Sequence, residues 1–376
     1  MPSKNTKNKL RIGYLLDDTL DRPDGVQQYV LAVGEYMRSI GHETHYIVAD
    51  TTRKDLQNVH SMGKFLSLKF NGNSVRTPLP ASKQKIKLLM DRLDLDVLHV
   101  QLGFSPIFGA RVINAVGPKC KIIGTWHTFP SGYIHDLSNK ILSIFIAPQL
   151  KKFASMVSVS QATADFVRAS YGYTSSVVPN AVPIKKYDIV AKKDLTKFRI
   201  VFLGRFVQRK GPIYLIEALG RLVKNDLLPG NVELIMAGKG PDLEKCKIRA
   251  SQLDLGPVVS FPGFVDEADK PKLLASADIT VFPSTGGEAF GISIVEAMAS
   301  GQSIVLGGNN SGYTSILGKR PELLFNPRDT SLLAQIILRY INMPKSESND
   351  LKSWLKKESQ KYKTELICEK LLKLYK

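Results

Sequence analysis

The sequence predicts an α/β protein of two doubly wound halves facing a central cleft, each half a parallel sheet covered by helices on both faces. Three observations predict it. Short β-branched runs alternate with stretches of helical period from end to end, which is the pattern of strand–helix–strand units. The alternation restarts after a polar, lysine-rich segment at 182–198. The chain has 376 residues and 43% hydrophobic content, enough for two cores of ordinary domain size.

In the first half, at 1–181, strands are expected at 11–16, 44–49, 97–101, 121–126, 156–160 and 177–179. Helical periodicity occupies 27–40 and 162–171 between them. The second half, 199–350, repeats the pattern with strands at 199–203, 232–237, 258–261, 279–282, 303–306 and 322–325. Residues 182–198 read as the linker. A strongly helical stretch closes the chain, with Trp354, Leu355, Leu366, Ile367, Leu371, Leu372 and Leu374 as its apolar members.

Composition removes several function classes. Cys120, Cys246 and Cys368 lie far apart, at neither metal-ligand nor redox spacing, and read as reduced thiols of a cytoplasmic protein. The basic N-terminus is followed by an apolar run of only 12–16, closed by Asp17 and Asp18, so neither a signal peptide nor a membrane span is expected. The net charge of +18 is evenly spread: residues 1–180 hold 22 Lys and Arg against 13 Asp and Glu, and the rest hold 30 against 21. No zinc finger or aromatic-interleaved basic array accompanies it, so nucleic acid is not expected as a partner. The excess suits small anions and anionic lipid surfaces.

The most informative stretch runs from Pro283 to Gly301 and reads PSTGGEAFGISIVEAMASG. It leaves a buried strand, passes through a glycine-rich turn and enters a helix near Ile292. Glycines admit close backbone approach, and a helix start presents unpaired N–H groups to anions. Glu288 in the turn and Glu296 in the helix are acceptor-only when ionised, which suits hydroxyl groups. Phosphate held by backbone and sugar hydroxyls held by carboxylate make a sugar-nucleotide site. The bland alternative is a strand-to-helix turn with one surface and one helix-stabilising glutamate.

Other clusters carry the same choice. After the strand at 199–203 come Gly204, Arg205, Arg209 and Lys210; a planar guanidinium and a point-charge ammonium suit a diphosphate leaving group, against a plain solvated basic loop. Gly25 opens the first helix, where N–H groups can meet phosphate, against an ordinary N-terminal turn. His127 sits at a strand exit, where a structural hydrogen-bonding role is the plain reading. The run Ala237-Gly238-Lys239-Gly240-Pro241 lacks the third glycine of a dinucleotide fingerprint. Asp94-Leu95-Asp96 has a metal-binding spacing but precedes its strand, so no metal is expected.

These segments together resemble glycosyltransferase family 4, whose members are retaining enzymes with the GT-B fold, two facing Rossmann-like domains. The stretch GGEAFGISIVEAMASG is similar to the family's E-x7-E signature. That resemblance implies that Glu288 contacts the transferred sugar, that Glu296 contacts the ribose, and that Phe290, Gly291 and Ile292 bring backbone to the sugar. Arg205 and Lys210 match the family's R-x4-K phosphate pair. The segment 261–266 resembles the part that frames the base, with Val265 and Lys270 as contacts. His127 matches a histidine that touches the transferred sugar. The fold also implies that the last helix, 351–376, crosses back onto the first domain.

Within the family, Gly25-Val26-Gln27, Phe70-Asn71-Gly72, Arg76, His127-Thr128 and the Gly-Gly before Glu288 look like the phosphatidyl-myo-inositol mannosyltransferases. The likeness spans about 10–335. It implies mannose transfer from GDP-mannose to the inositol of a membrane phospholipid, with Gln27, Asn71, Arg76 and His127 lining the acceptor site. Two departures fall on that side: Asp17-Asp18 stands where those enzymes carry an aromatic residue, and 129–133 is not Ser/Thr-rich. A glucosyl- or galactosyltransferase acting on diacylglycerol is the alternative within the class. A catalytically idle sugar-nucleotide scaffold and a lipid-binding protein with a regulatory nucleotide site are the alternatives outside it.

Retention by front-face attack would rest on Arg205 and Lys210 stabilising the leaving group, with no protein nucleophile. Residues 64–92 carry a local net charge of +6. The stretch 81–93 interleaves lysines with Ile86, Leu88, Leu89, Met90 and Leu93. It reads either as a helix lying on an anionic membrane surface or as a surface helix packed on the sheet. The expected place is the cytoplasmic face of the cell membrane.

Overall fold

The computed structural model of the protein describes residues 9–22, 24–63, 65–70, 73–78, 81–102, 108–129, 146–190 and 194–376, with backbone only for 65–70 and 73–78. The chain divides into two compact units. One comprises 1–181 and 364–376, and the other comprises 182–363.

The first unit is built on strands β1 (Arg11–Leu16), β2 (Glu43–Val48), β3 (Val59–Ser61), β6 (Val97–Leu102), β7 (Lys121–Trp126), β8 (Ser155–Ser158) and β9 (Ser176–Val177). They form one parallel sheet in the order β3-β2-β1-β6-β7-β8-β9. The chain leaves β1 toward β2 on one side and later returns to lay β6 on the other. The switch point therefore lies between β1 and β6, where open α/β sheets bind ligands at the strands' carboxyl ends. Helix α1 (Gly25–Ser39) buries Tyr29, Val30, Val33 and Met37 at three- and four-residue spacing. An antiparallel hairpin, β4 (Phe65–Phe70) with β5 (Asn73–Pro78), was not expected from the sequence.

Helix α2 (Lys83–Leu93) starts on a Ser82 cap and stops at Asp94 in the left-handed conformation. Its Ile86, Leu89, Met90 and Leu93 are buried in the unit's core, with Leu88, Lys83, Lys85, Lys87 and Arg92 outside. The apolar face thus packs in that core and leaves a basic outer face. Helices α3 (Gly109–Ala115) and α4 (Gln161–Tyr171) follow, and 146–150 are helical as well.

The second unit is a parallel sheet of β10 (Phe198–Leu203), β11 (Val232–Ala237), β12 (Val259–Gly263), β13 (Ile279–Phe282), β14 (Ile304–Gly308) and β15 (Leu324–Phe325). Its order is β12-β11-β10-β13-β14-β15, so its switch point lies between β10 and β13. The connecting helices are α5 (Pro212–Lys224), α6 (Leu243–Gln252), α7 (Lys270–Ser276), α8 (Ile292–Ser300), α9 (Ser311–Leu317) and α10 (Thr330–Ile341).

The ends of the units differ from the expected boundaries. The single helix expected at 351–376 is two, α11 (Lys345–Ser359) and α12 (Thr364–Tyr375). A tight turn at Gln360–Tyr362 separates them, and Lys363 is extended. Tertiary contacts win there: the Tyr362 carbonyl accepts from Val182 N at 2.9 Å and its ring meets Phe290 edge-on. Only α12 returns to the first unit, where Ile367, Leu371 and Tyr375 join the core of α1. The Tyr375 hydroxyl meets His99 Nδ1 at 2.6 Å, and His99 Nε2 meets Thr125 Oγ1 at 2.6 Å. The segment read as a linker packs into the second unit through Val182, Ile184 and Tyr187, all buried.

Candidate active site

Two loops meet at the carboxyl ends of β10 and β13. The turn Gln208–Lys210 is docked on the β13 exit because Thr285 N and Ser284 Oγ both donate to the Arg209 carbonyl, at 2.8 and 3.0 Å. Gly211 ends that turn at φ +65°, and a Cβ there would lie 2.1 Å from the Pro283 carbonyl oxygen. Only glycine admits this approach.

The docking places the basic pair on Glu288. Its Oε1 accepts from Arg209 Nη1 at 2.7 Å, Lys210 Nζ at 2.9 Å and Ser284 Oγ at 2.8 Å. Burial works to raise this carboxyl's pKa. Lys210 and Arg209 outweigh it and hold the group below its ordinary value. Arg205 is exposed on the turn after β10 and has no resolved ion pair among the described residues. Phe290 is buried, Gly291 caps α8 with φ +136°, and Ile292 begins that helix. Val265 lies just past β12, half-buried.

Glu296, one turn into α8, is 1% exposed. The Tyr187 hydroxyl donates to its Oε1 at 2.6 Å, and Lys270 Nζ lies 3.3 Å from Oε1 and 3.4 Å from Oε2. Lys270 also pairs with Glu267 at 2.7 Å. Burial alone would lower the lysine's pKa; Glu296 and Glu267 outweigh it and raise it. Lys270, expected from the resemblance beside the base, thus spends its charge on the two glutamates.

In the first unit, Gly25 is the first residue of α1 and the Asp24 side chain makes no capping bond to the first N–H groups of the helix. Gln27 is buried beside Asp18, donating through Nε2 at 3.4 Å, while its Oε1 lacks a hydrogen-bond partner among the described residues. His127 Nε2 meets Gln101 Oε1 at 2.8 Å, and the Tyr29 ring packs edge-on at 4.8 Å. Burial pushes the imidazole's pKa down to about 3 against a hydrogen bond with Asn180, so the ring is neutral at pH 7. Asn71 lies outside the described residues, as does the side chain of Arg76, whose backbone sits in β5. Asp94 and Asp96 bind Arg11 at the amino end of the sheet, 2.8 Å from Nη2 and 2.7 Å from the backbone N, opposite the switch point.

Sequence reasoning passed over Tyr187, Ser284 and Gln101, and Arg209 stood outside the R-x4-K pair. Tyr187 stands in a lysine-rich stretch whose only signal is the apolar spacing of Val182, Ile184 and Tyr187.

The glycosyl transferases group 1 family matches residues 184–358, and the Glycosyltransferase Family 4 family matches 23–186. The phosphatidyl-myo-inositol mannosyltransferase of Mycobacterium tuberculosis (strain ATCC 25618 / H37Rv) is 31% identical over 303 residues, covering 79% of this chain and 77% of that protein. The chain belongs to glycosyltransferase family 4. A more distant relative is the alpha-monoglucosyldiacylglycerol synthase of Streptococcus pneumoniae (strain ATCC BAA-255 / R6), 22% identical over 80% of this chain and 71% of that protein. The crystal structure of Anabaena Alr3699/HepE in complex with UDP and glucose has a TM-score of 0.75 at 18% identity, over 97% of this chain and 99% of that one. That likeness shows the family 4 fold, GT-B. The protein is therefore a glycosyltransferase. Among the described residues no helix is long and apolar enough to cross a membrane.

Proposed function

We propose that this family 4 enzyme transfers a hexose, with retention and without a metal, from a nucleotide-activated donor to a membrane lipid. The pairing we favour is mannose from GDP-mannose to phosphatidylinositol. One observation carries the donor side: Glu288 and two cations, Arg209 and Lys210, converge at the switch point of β10 and β13. A carboxylate beside ammonium and guanidinium groups can accept from a hexose hydroxyl while the cations neutralise the departing diphosphate.

In this reading Glu288 holds the hexose, Phe290, Gly291 and Ile292 approach it by backbone, and Glu296 holds the ribose. Arg205 and Lys210 take the diphosphate, Gly25 offers N–H groups to phosphate, and Val265 borders the base. Gln27, Asn71, Arg76 and His127 serve the acceptor, His127 as a neutral hydrogen-bonding group. The identity with mannosyltransferases across both units supports mannose and phosphatidylinositol. The basic outer face of α2, with Lys83, Lys85, Lys87 and Arg92, supports contact with an anionic bilayer surface on the cytoplasmic side.

The streptococcal relative favours a second reading, glucose to a diacylglycerol lipid. The test is a panel of GDP-mannose, UDP-glucose, UDP-galactose and UDP-N-acetylglucosamine over liposomes with and without phosphatidylinositol, in EDTA. Mannose transfer that requires phosphatidylinositol is the expected result. Glucose transfer to diacylglycerol would replace it.

A further inference from the structure

Glu296 is the more deeply buried of the two signature glutamates, and its surroundings are unlike those of Glu288. Its cation, Lys270, is shared with Glu267, which lies also 3.7 Å from Lys186. The shortest bond it makes comes from Tyr187, whose hydroxyl reaches Oε1 at 2.6 Å. Tyr187 is 1% exposed and follows the short turn Ile184–Lys186, where its backbone N donates to the Ile184 carbonyl at 3.0 Å. The main chain is thus held in a turn at Tyr187, and the phenol is buried.

A carboxylate has acceptor capacity on both oxygens, and which one faces a ligand depends on how the group is rotated. Here Oε1 takes Tyr187 and Lys270, while the resolved bond to Oε2 is the 3.4 Å approach of Lys270. A neutral hydroxyl donor fixes that rotation without adding a charge, and a hydrogen bond to an ionised group is among the stronger ones. We propose that Tyr187 is a positioning residue for donor binding, locking Glu296 so that Oε2 accepts from the ribose hydroxyls. This rests on the assignment of Glu296 to the ribose. It adds a residue from the stretch between the two motif-bearing halves to the donor site.

The experiment is calorimetric titration of the full chain with GDP and with UDP, continued with the tighter of the two and its 2′,3′-dideoxy counterpart. Wild type, Tyr187→Phe and Glu296→Gln are compared. Phenylalanine keeps the ring that packs in the core, so the fold is retained. The ribonucleotide preference over the dideoxy form is expected to vanish in Glu296→Gln. In Tyr187→Phe the Kd for the ribonucleotide is expected to rise about tenfold with the dideoxy Kd unchanged. A purely structural role would weaken both nucleotides alike and would overturn the proposal. So would an intact ribose preference in Tyr187→Phe beside its loss in Glu296→Gln. An intact preference in Glu296→Gln would instead overturn the ribose assignment itself.

Discussion

Arg209 donates to Glu288 Oε1 at 2.7 Å, and Lys210 reaches the same oxygen at 2.9 Å. One carboxylate oxygen therefore ties down two of the three cations after β10, and Arg205 stays exposed. The three should not be equivalent in catalysis.

Arg205→Ala and Lys210→Ala are each expected to lower kcat about 10²–10³-fold, the scale of a lost donor to developing charge. Arg209→Ala should cost less, about tenfold, because Lys210 and Ser284 still hold Glu288. Steady-state turnover with the donor identified by the panel gives the ranking, and near-normal rates for Arg205→Ala or Lys210→Ala would remove the diphosphate assignment.

Glu288 supplies a pH signature. Its carboxyl is held below the ordinary 4.5 by Lys210 and Arg209, so the unfolded chain binds this proton more readily. The resulting stability is whole above pH 4.5 and drains as pH falls through the folded value. Glu288→Gln should lose about 2 kcal/mol at pH 7. That deficit should shrink below pH 4, as read from urea midpoints.

His127 acts on a higher window. With its pKa lowered from 6.5 to about 3, stability is whole above pH 6.5 and falls toward pH 3 as the unfolded chain takes up the proton. His127→Gln should remove about 1.4 kcal/mol per pH unit from the slope between those limits. An unchanged slope would mean that the ring is protonated in the folded chain.

Gly312, in the first turn of α9, lies hard against the Glu288 loop. A Cβ there would lie 2.4 Å from the Glu288 carbonyl oxygen and 2.7 Å from that of Phe290. Gly312→Ala should cost about 1–3 kcal/mol by forcing loop and helix apart. Donor KM should rise with it, because the displaced segment carries Glu288. Thermal unfolding and kinetics on the same sample check the pair of effects.

Tyr375→Phe leaves His99 Nδ1 without its 2.6 Å partner in a fully buried setting. The cost should be about 1–3 kcal/mol, confined to the unit of 1–181 and 364–376. Scanning calorimetry should show one lowered transition and one unmoved, with donor-nucleotide affinity unchanged.

Much of this was legible in the sequence for a physical reason. Strands of a parallel sheet are buried on both faces, so 122–126, 234–237 and 279–282 stand out as continuous β-branched or apolar runs. Glycine-rich turns at strand exits then mark where Glu288 and Lys210 sit. The hairpin of β4 and β5 escaped because neither segment has the continuous apolar run that marks the sheet strands. The break at Gln360–Tyr362 is invisible locally, because no proline or glycine marks it and the Tyr362–Phe290 and Val182 contacts make it. Tyr187 was hidden for the same reason: lysines dominate its neighbourhood, and its meaning comes from a glutamate 109 residues away.

Helix α12 completes the core of the first unit although the whole of the second unit separates it from residue 181. The second unit is one uninterrupted stretch of chain, whereas the first is assembled from two. During synthesis the core of the first unit cannot close until α12 has been made, because Tyr29, Val33 and Met37 wait for Ile367, Leu371 and Tyr375. The half made earliest is thus the one whose core is sealed by α12, while 182–363 hold every residue of their own unit in one stretch.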